Sequence, residues 1–86
     1  MITSAQYSVT STAVKLAATN QGYRDVYAHV TSNGAIYVGP AGVTASTGLY
    51  IDKNSGIPVF HVPPYDELWA VAASGTETIT VAVVGP

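Results

Sequence analysis

The stretch ELWAVAASGTETITVAVV, residues 67–84, contains two runs of alternating side-chain character on either side of a Ser-Gly pair. In the second run Ile79, Val81 and Val83 share one face of an extended chain. A period of two is typical of a half-buried strand, whereas a helix repeats about every 3.6 residues. The stretch therefore predicts two strands, and Ser74-Gly75 predicts a hairpin turn between them.

The same alternation recurs along the chain. It is clearest at residues 26–30, 36–38, 49–51 and 59–62, and turn-forming Gly, Pro and Asn residues separate these runs at short intervals. No window has a convincing helical pattern, and residues 14–18 form too short a run to favour a helix over a strand. We therefore expect an all-β fold, an antiparallel β-sandwich or small jelly-roll-like barrel of about 7–8 short strands.

Local signals refine this expectation. Asn33-Gly34 lies between two alternating runs and predicts a tight hairpin, because both central residues of such turns adopt positive φ. Pro58 predicts that residues 57–62 form an edge strand or a strand that begins at Val59.

With 86 residues, the chain has room for one domain. We assign residues 1–12 to an N-terminal arm or first edge strand and residues 13–86 to a single sandwich domain.

Charge is scarce. Three basic and five acidic residues make up 9% of the chain, against about 25–35% on an ordinary soluble surface. Such a surface is weakly hydrated and easily covered by a neighbour, which indicates a protein that is a subunit of a larger assembly. Three cations are too few to neutralise a run of phosphates, so neither nucleic acid nor an anionic membrane is an expected partner. The chain has no cysteine, which excludes disulfides and thiolate metal sites.

Localisation signals are also scarce. The first twenty residues, MITSAQYSVTSTAVKLAATN, lack a basic start and a sustained apolar core, so no secretory signal is expected. Residues 26–51 are uncharged, but several glycines, Pro40 and many hydroxyl residues interrupt them, which argues against a membrane helix.

A glycine-rich stretch, AIYVGPAGVTASTGLYID at residues 35–52, raises the question of phosphate binding. A phosphate loop needs a Lys for the outer phosphates and a helix whose N-terminus faces the anion. Here no Lys lies between Gly42 and Gly48, and the strand-like LYID follows. The stretch therefore predicts a connection between two strands.

Catalytic and metal sites find little support. His61, with Asp66 and Glu67 nearby, could begin a metal site, but its position between Phe60 and Val62 favours a solvent-facing or interface-facing strand residue. Asp66 and Glu67 are adjacent, so on a strand they would face opposite sides. We predict no catalytic residue, no cofactor and no metal site.

Aromatic side chains provide the candidate interface. Several tyrosines alternate with apolar residues and should point outward, where they could pack against another subunit or stack on sugar rings. Packing is favoured, since a sugar site also requires clustered Asp, Asn or Gln, and Asn and Gln are few here. In the N-terminal segment Tyr7 and Val9 could add a strand to a neighbour's edge. The predicted interface residues are Tyr7, Val9, Tyr27, Tyr37, Tyr50 and Trp69.

From Asn33 onward, about two thirds of the chain resembles small virion proteins of tailed bacteriophages. The matching segments are IYVG (36–39), GVT (42–44), TG (47–48), ELWA (67–70) and AASGT (72–76). Trp69 stands where Tyr is usual in that family, and IDKNSGIPVFHV (51–62) replaces its Pro-Gly-Glu-type turn.

The resemblance implies a non-enzymatic protein on the capsid surface of a virion, made in the host cytoplasm. It favours a head decoration protein whose partners are the major capsid protein and copies of itself, with a trimer as the favoured oligomer. Two alternatives stay open: a minor tail or head-fibre component, and a carbohydrate-binding or host-adhesion module displayed on the particle.

Overall fold

The computed structural model describes residues 1–85 and consists almost entirely of strands. Pro86, the last residue of the predicted domain, lies outside the described residues. The strands are β1 (Ile2–Val9), β2 (Val14–Ala17), β3 (Arg24–Val30), β4 (Ile36–Gly39), β5 (Leu49–Ile51), β6 (Val59–Val62), β7 (Leu68–Val71) and β8 (Glu77–Val84). A single 3₁₀ turn covers Lys53–Ser55, and residues 1–85 contain no α-helix.

These strands form two antiparallel four-stranded sheets. The first sheet has the order β1-β8-β3-β6 and the second has the order β2-β7-β4-β5. The two sheets pack face to face, so the predicted all-β class, the sandwich architecture and the number of strands are confirmed.

Alternating residues of the central strands build the core between the sheets. Val26, Ala28 and Val30 of β3 are at most 1% exposed, and Ile79 and Val81 of β8 are at most 2% exposed. The second sheet contributes buried side chains from β4 and β7, among them Ile36, Val38 and Ala70. Full burial of one Val or Ile side chain stabilises a fold by about 1.5–3 kcal/mol. The period of two therefore identified the buried face of these strands.

The two predicted hairpins are wrong. Asn33-Gly34 connects β3 of the first sheet to β4 of the second, and Ser74-Gly75 connects β7 of the second sheet to β8 of the first. Both turns thus cross between sheets. The first crossing is fixed by the Glu77 carboxylate, which accepts hydrogen bonds from Ser32 Oγ at 2.6 Å and from the Gly34 N–H at 2.9 Å. Alternation defines a buried face, but it does not say whether consecutive strands pair or pack across the core.

Two other local predictions are confirmed. Residues 40–48 connect β4 to β5, which pair antiparallel, and a strand rather than a helix follows the glycine-rich stretch. A hydrogen bond within the connection holds its second half in a turn: the Thr44 carbonyl accepts a hydrogen bond from the Gly48 N–H at 2.9 Å. β6 begins at Val59 and is an edge strand, as Pro58 predicted.

Arg24, which is 4% exposed, connects several chain segments at one end of the sandwich through hydrogen bonds. Its guanidinium donates to the carbonyl of Ala18, to that of Pro63 at 3.1 Å and to that of Asp66 at 2.8 Å. Its Nε is buried without a hydrogen-bond partner among residues 1–85. A buried cation requires compensating acceptors. Arg24 therefore holds the segments around residues 18 and 63–66 in place through their carbonyl groups.

Candidate functional site

The six predicted interface residues lie in three different environments. Tyr37, Tyr50 and Trp69 lie on the outer face of the second sheet, and Tyr27 lies on the outer face of the first. Tyr7 and Val9 lie on the inner side of β1. The structure therefore places three of the six on one face, where Tyr37 and Tyr50 are in ring contact.

Val9 is not a surface residue. It is 0% exposed and belongs to the core, and Tyr7 packs partly against the same core. The reason is that β1 pairs along its whole length with β8 of its own chain, from Ile2 opposite Val84 to Val9 opposite Glu77. Alternate residues of β1 consequently face the other sheet, and the side chain of Val9 has no surface to offer a neighbour.

We call Tyr37, Tyr50 and Trp69 the aromatic cluster. Tyr37 and Tyr50 are cross-strand partners, with ring centroids 5.7 Å apart and planes at 73°. This edge-to-face arrangement is one of the two favoured geometries for aromatic pairs. The Tyr50 hydroxyl donates to Asp52 Oδ2 at 3.0 Å, and this hydrogen bond together with the carboxylate charge raises the pKa of Tyr50.

Trp69 is held by polar partners on the same face. Its indole N–H donates to Glu67 Oε1 at 3.1 Å, and Lys15 Nζ lies 5.4 Å from the ring centroid. Lys15 also pairs with Glu67 Oε2 at 3.2 Å. The hydrogen bond from Trp69, followed by those from Lys15 and Thr19, lowers the pKa of Glu67. The Trp69 ring is thus fixed by Lys15 and by Glu67.

Two glycines let the 40–48 connection lie on this face. Gly39 is the cross-strand neighbour of Trp69, and a Cβ there would lie 2.8 Å from Val43 Cγ2. A Cβ on Gly48 would lie 2.7 Å from the Cβ of Tyr37 and 2.9 Å from Val43 Cγ2. Val43 therefore occupies the space that two side chains would otherwise fill. The glycines of this stretch serve close packing.

The outer face of the first sheet carries a different surface. We call Ile2, Tyr27, Val59, Ala82 and Val84 the outer patch. One cross-strand row joins Val59 to Tyr27 and Tyr27 to Ala82, and the next joins Val84 to Ile2. Ile2 is 72% exposed, and Tyr27 and Val59 are each 40% exposed. The patch spans all four strands, and contiguous apolar surface of this kind marks interaction sites.

Beside the outer patch, His61 Nδ1 lies 2.6 Å from Asp25 Oδ1 across β3 and β6. The metal site considered around His61 does not form: residues 1–85 hold no group of three or more His, Cys, Asp or Glu side chains that could bind an ion. An open cleft of about 600 Å³ at this end of the sandwich is lined by His61, Tyr65, Asp66 and Glu67, among others.

Comparison with known proteins adds no family. No protein-family model matches the chain, and neither a curated protein nor a solved structure matches it. Within the described part of the chain, no helix has the length and apolarity needed to cross a membrane. Function must therefore be inferred from the two outer faces themselves.

Sequence reasoning missed Lys15, Glu67, Ile2 and Val59. For Glu67 a signal existed, because residues two apart on a strand share a face and Glu67 precedes Trp69 by two. Lys15 could not be found this way, since its contact with Trp69 depends on the pairing of β2 with β7. Ile2 and Val59 were missed because their place on the outer face depends on the register of two edge strands.

Proposed function

We propose that this chain is a non-enzymatic structural protein of a bacteriophage virion, a head decoration protein that binds the major capsid protein as an oligomer. The observation that carries the proposal is the outer patch, where Ile2, Tyr27 and Val59 expose apolar side chains. The carboxylate beside the patch, on Asp25, is paired with His61. An exposed apolar surface of this kind is stabilised when another protein covers it. The resemblance to small virion proteins supplies the class of partner.

The mechanism is mechanical. Many copies bind across neighbouring capsid subunits, and burial of the outer patch lowers the free energy of the closed shell by about 25 cal/mol per Å² of apolar surface covered. Each contact is weak by itself. Linked copies raise the effective concentration of the next contact, so occupancy of the lattice is cooperative.

The outer patch is better suited to this role than the aromatic cluster. Tyr27 lies between Val59 and Ala82 in its row, and neither Tyr27 nor Val59 makes a side-chain hydrogen bond with any other part of residues 1–85. Tyr50 and Trp69, in contrast, already donate to Asp52 and Glu67. A partner that covered the aromatic cluster would have to desolvate these carboxylates, which costs free energy.

Carbohydrate binding is the alternative from another class, and the aromatic cluster is the surface it would use. Sugar stacking needs an accessible ring face, but Lys15 Nζ lies over the Trp69 ring at 5.4 Å. The rings of Tyr37 and Tyr50 meet at 73° and offer no common plane. This geometry favours the decoration role over the glycan role. A tail or head-fibre component would bind its partner through the same outer patch. The labelling experiment below distinguishes this role from decoration of the head.

The test uses particles of the phage that encodes the chain, made without this protein and then incubated with purified protein. Labelled wild-type protein should distribute over the head in negative stain. The variant Tyr27→Ser should reduce occupancy at least about tenfold, as expected when an interface side chain worth about 1.4 kcal/mol is lost. Tyr23→Ser is the matched control, because Tyr23 is 69% exposed and lies outside the outer patch.

Three outcomes would contradict the proposal. Label confined to the tail would exclude head decoration and favour the tail or head-fibre role. Equal occupancy by Tyr27→Ser and Tyr23→Ser would show that the outer patch is not the contact surface. Binding to glycans on an array, lost in Trp69→Ala but not in Tyr27→Ser, would favour the adhesion role.

A further inference from the structure

The four edge strands of the sandwich differ in how they are protected against pairing with another strand. Natural sheets protect their edges with short strands, prolines, bulges and charged side chains. β5 has only three residues. β6 is flanked by Pro58 and by Pro63-Pro64, and β2 carries Lys15 and a register irregularity between Lys15 and Ala17.

β1 has none of these devices. It is eight residues long, ITSAQYSV, with no proline and no charged side chain. Its register with β8 runs without interruption from Ile2 to Val9. A long, regular, uncharged edge is the kind of strand that pairs readily with another chain.

The hydrogen-bonding pattern shows which backbone groups of β1 face outward. Met1 N donates to the Gly85 carbonyl at 2.7 Å, and the Gly85 N–H donates to the Met1 carbonyl at 2.9 Å. Met1 and Gly85 are thus a hydrogen-bonded pair, and such pairs alternate along an antiparallel ladder. The N–H and C=O groups of every second residue therefore point away from β8. These residues are Ile2, Ser4, Gln6 and Ser8.

We propose that two copies of this chain pair through β1, antiparallel, around a two-fold axis that passes between the two Ala5 residues. In this register Ser4 lies opposite Gln6 of the second copy, and Ile2 lies opposite Ser8. Every outward N–H and C=O of β1 then meets its complement, which a shift of the register would not achieve. The two first sheets become one continuous antiparallel sheet.

The side chains of β1 fit a second copy of the same strand. The two Ala5 residues form a non-hydrogen-bonded pair, in which Cα atoms approach to about 4.5 Å and the side chains lie close together. The methyl group of alanine adds little bulk at this approach. Thr3 lies opposite Tyr7 of the second copy, and pairs of an aromatic and a β-branched residue stabilise a sheet by about 0.2–1 kcal/mol. Since β1 is uncharged, the pairing brings no like charges together.

This inference rests on the edge alone and not on the proposed function. A two-fold contact closes after two copies, so it predicts a dimer where the resemblance favours a trimer. The two outer patches would lie on the same face of the joined sheet, because a two-fold axis perpendicular to a sheet keeps its faces on the same side.

The first test exploits the symmetry of the Ala5 position. Ala5 is exposed, so a charged side chain there should leave the fold of one copy intact while placing like charges opposite each other across the axis. Light scattering should give the mass of two chains for the wild type and of one chain for both Ala5→Lys and Ala5→Glu. An equimolar mixture of the two variants should return to the mass of two chains, because opposite charges then meet.

The control for charge itself is Ala45→Lys, at an exposed position outside both β1 and the outer patch, which should remain a dimer. A wild type with the mass of one or three chains would overturn the inference, and so would dimers of both Ala5 variants. A mixture that stays monomeric would also overturn it, since a contact elsewhere would not recover through charge pairing.

The second test fixes the register. The chain has no cysteine, so Ala5→Cys introduces a single thiol, and the Cα separation expected at the axis lies within disulfide range. With copper-phenanthroline as oxidant, Ala5→Cys should form a covalent dimer. Thr3→Cys is the matched control, because its thiol would face Tyr7 of the second copy. Equal cross-linking of the two variants would contradict the register.

Discussion

The two outer faces of this sandwich are built from similar residue types and differ in what those residues contact. On the second sheet, Tyr50 and Trp69 are held by hydrogen bonds to Asp52 and Glu67, and Lys15 lies over the indole ring. On the first sheet, Tyr27 and Val59 lie side by side with only apolar or small neighbours in their row.

Exposure of an aromatic side chain is therefore not enough to identify an interface. Tyr50 is 59% exposed and Tyr27 is 40% exposed, so accessibility alone would favour Tyr50. The hydroxyl of Tyr50, however, already donates to the carboxylate of Asp52 in the same chain. Burial by another protein would cost the hydration of Asp52, whereas Tyr27, Val59 and Ala82 form an apolar row that can be covered beside the Asp25–His61 pair.

Loss of Trp69 should have the greatest effect on stability and tests whether the two faces differ. Trp69→Ala removes a half-buried ring together with its contacts to Lys15 and Glu67, and we expect the free energy of unfolding to fall by about 2–3 kcal/mol. The matched change on the other face, Tyr27→Ala, should cost about 1 kcal/mol or less. Urea denaturation of both variants measures the difference. Equal losses would mean that the two faces are equally engaged within the chain.

A smaller effect is expected from Gly48→Ala. The added methyl group would lie 2.7 Å from the Cβ of Tyr37 and 2.9 Å from Val43 Cγ2, so the 40–48 connection must shift. We expect a loss of about 1–2 kcal/mol, typical of overpacking. Ala41→Ser, at an exposed position of the same connection, should stay within about 0.5 kcal/mol of the wild type. Thermal unfolding measures both, and an unchanged Gly48→Ala would refute close packing of Val43 on this face.

The smallest effect is a pH dependence that belongs to the aromatic cluster. Hydrogen bonds from Trp69, Lys15 and Thr19 lower the pKa of Glu67 from its ordinary value of 4.5. A carboxyl whose folded pKa is lowered stabilises the fold above its unfolded pKa, and this contribution disappears as the pH falls through the folded pKa.

Glu67→Gln should therefore lose less stability than the wild type when the pH falls from about 6 to about 3. Denaturation curves recorded across this range provide the measurement. A variant whose stability falls as steeply as that of the wild type would show that Glu67 gains nothing from its partners.

Much of the fold could be predicted, because its information is local. The alternation at Val26, Ala28 and Val30 gave the buried face of β3, and Pro58 gave the start and the edge position of β6. The two hairpins could not be predicted correctly. The turns at Asn33-Gly34 and Ser74-Gly75 look alike whether the next strand pairs with the last or crosses to the other sheet.

The candidate site divides in the same way. Outward positions of Tyr27, Tyr37 and Tyr50 follow from alternation with apolar neighbours. Burial of Val9 does not follow, because it depends on the pairing of β1 with β8, nearly the whole chain length away. The contact of Lys15 with Trp69 depends likewise on the pairing of β2 with β7.

The strand class, the inner faces of the central strands and the scarcity of charge can be read from the order and type of neighbouring residues alone. Which strands pair, and therefore which strands lie at the edges, became known from the folded chain. The same is true of which aromatic rings have partners and which backbone groups of β1 point outward. The physical reason is that backbone pairing joins residues far apart in the chain, and a period of two is compatible with many such pairings.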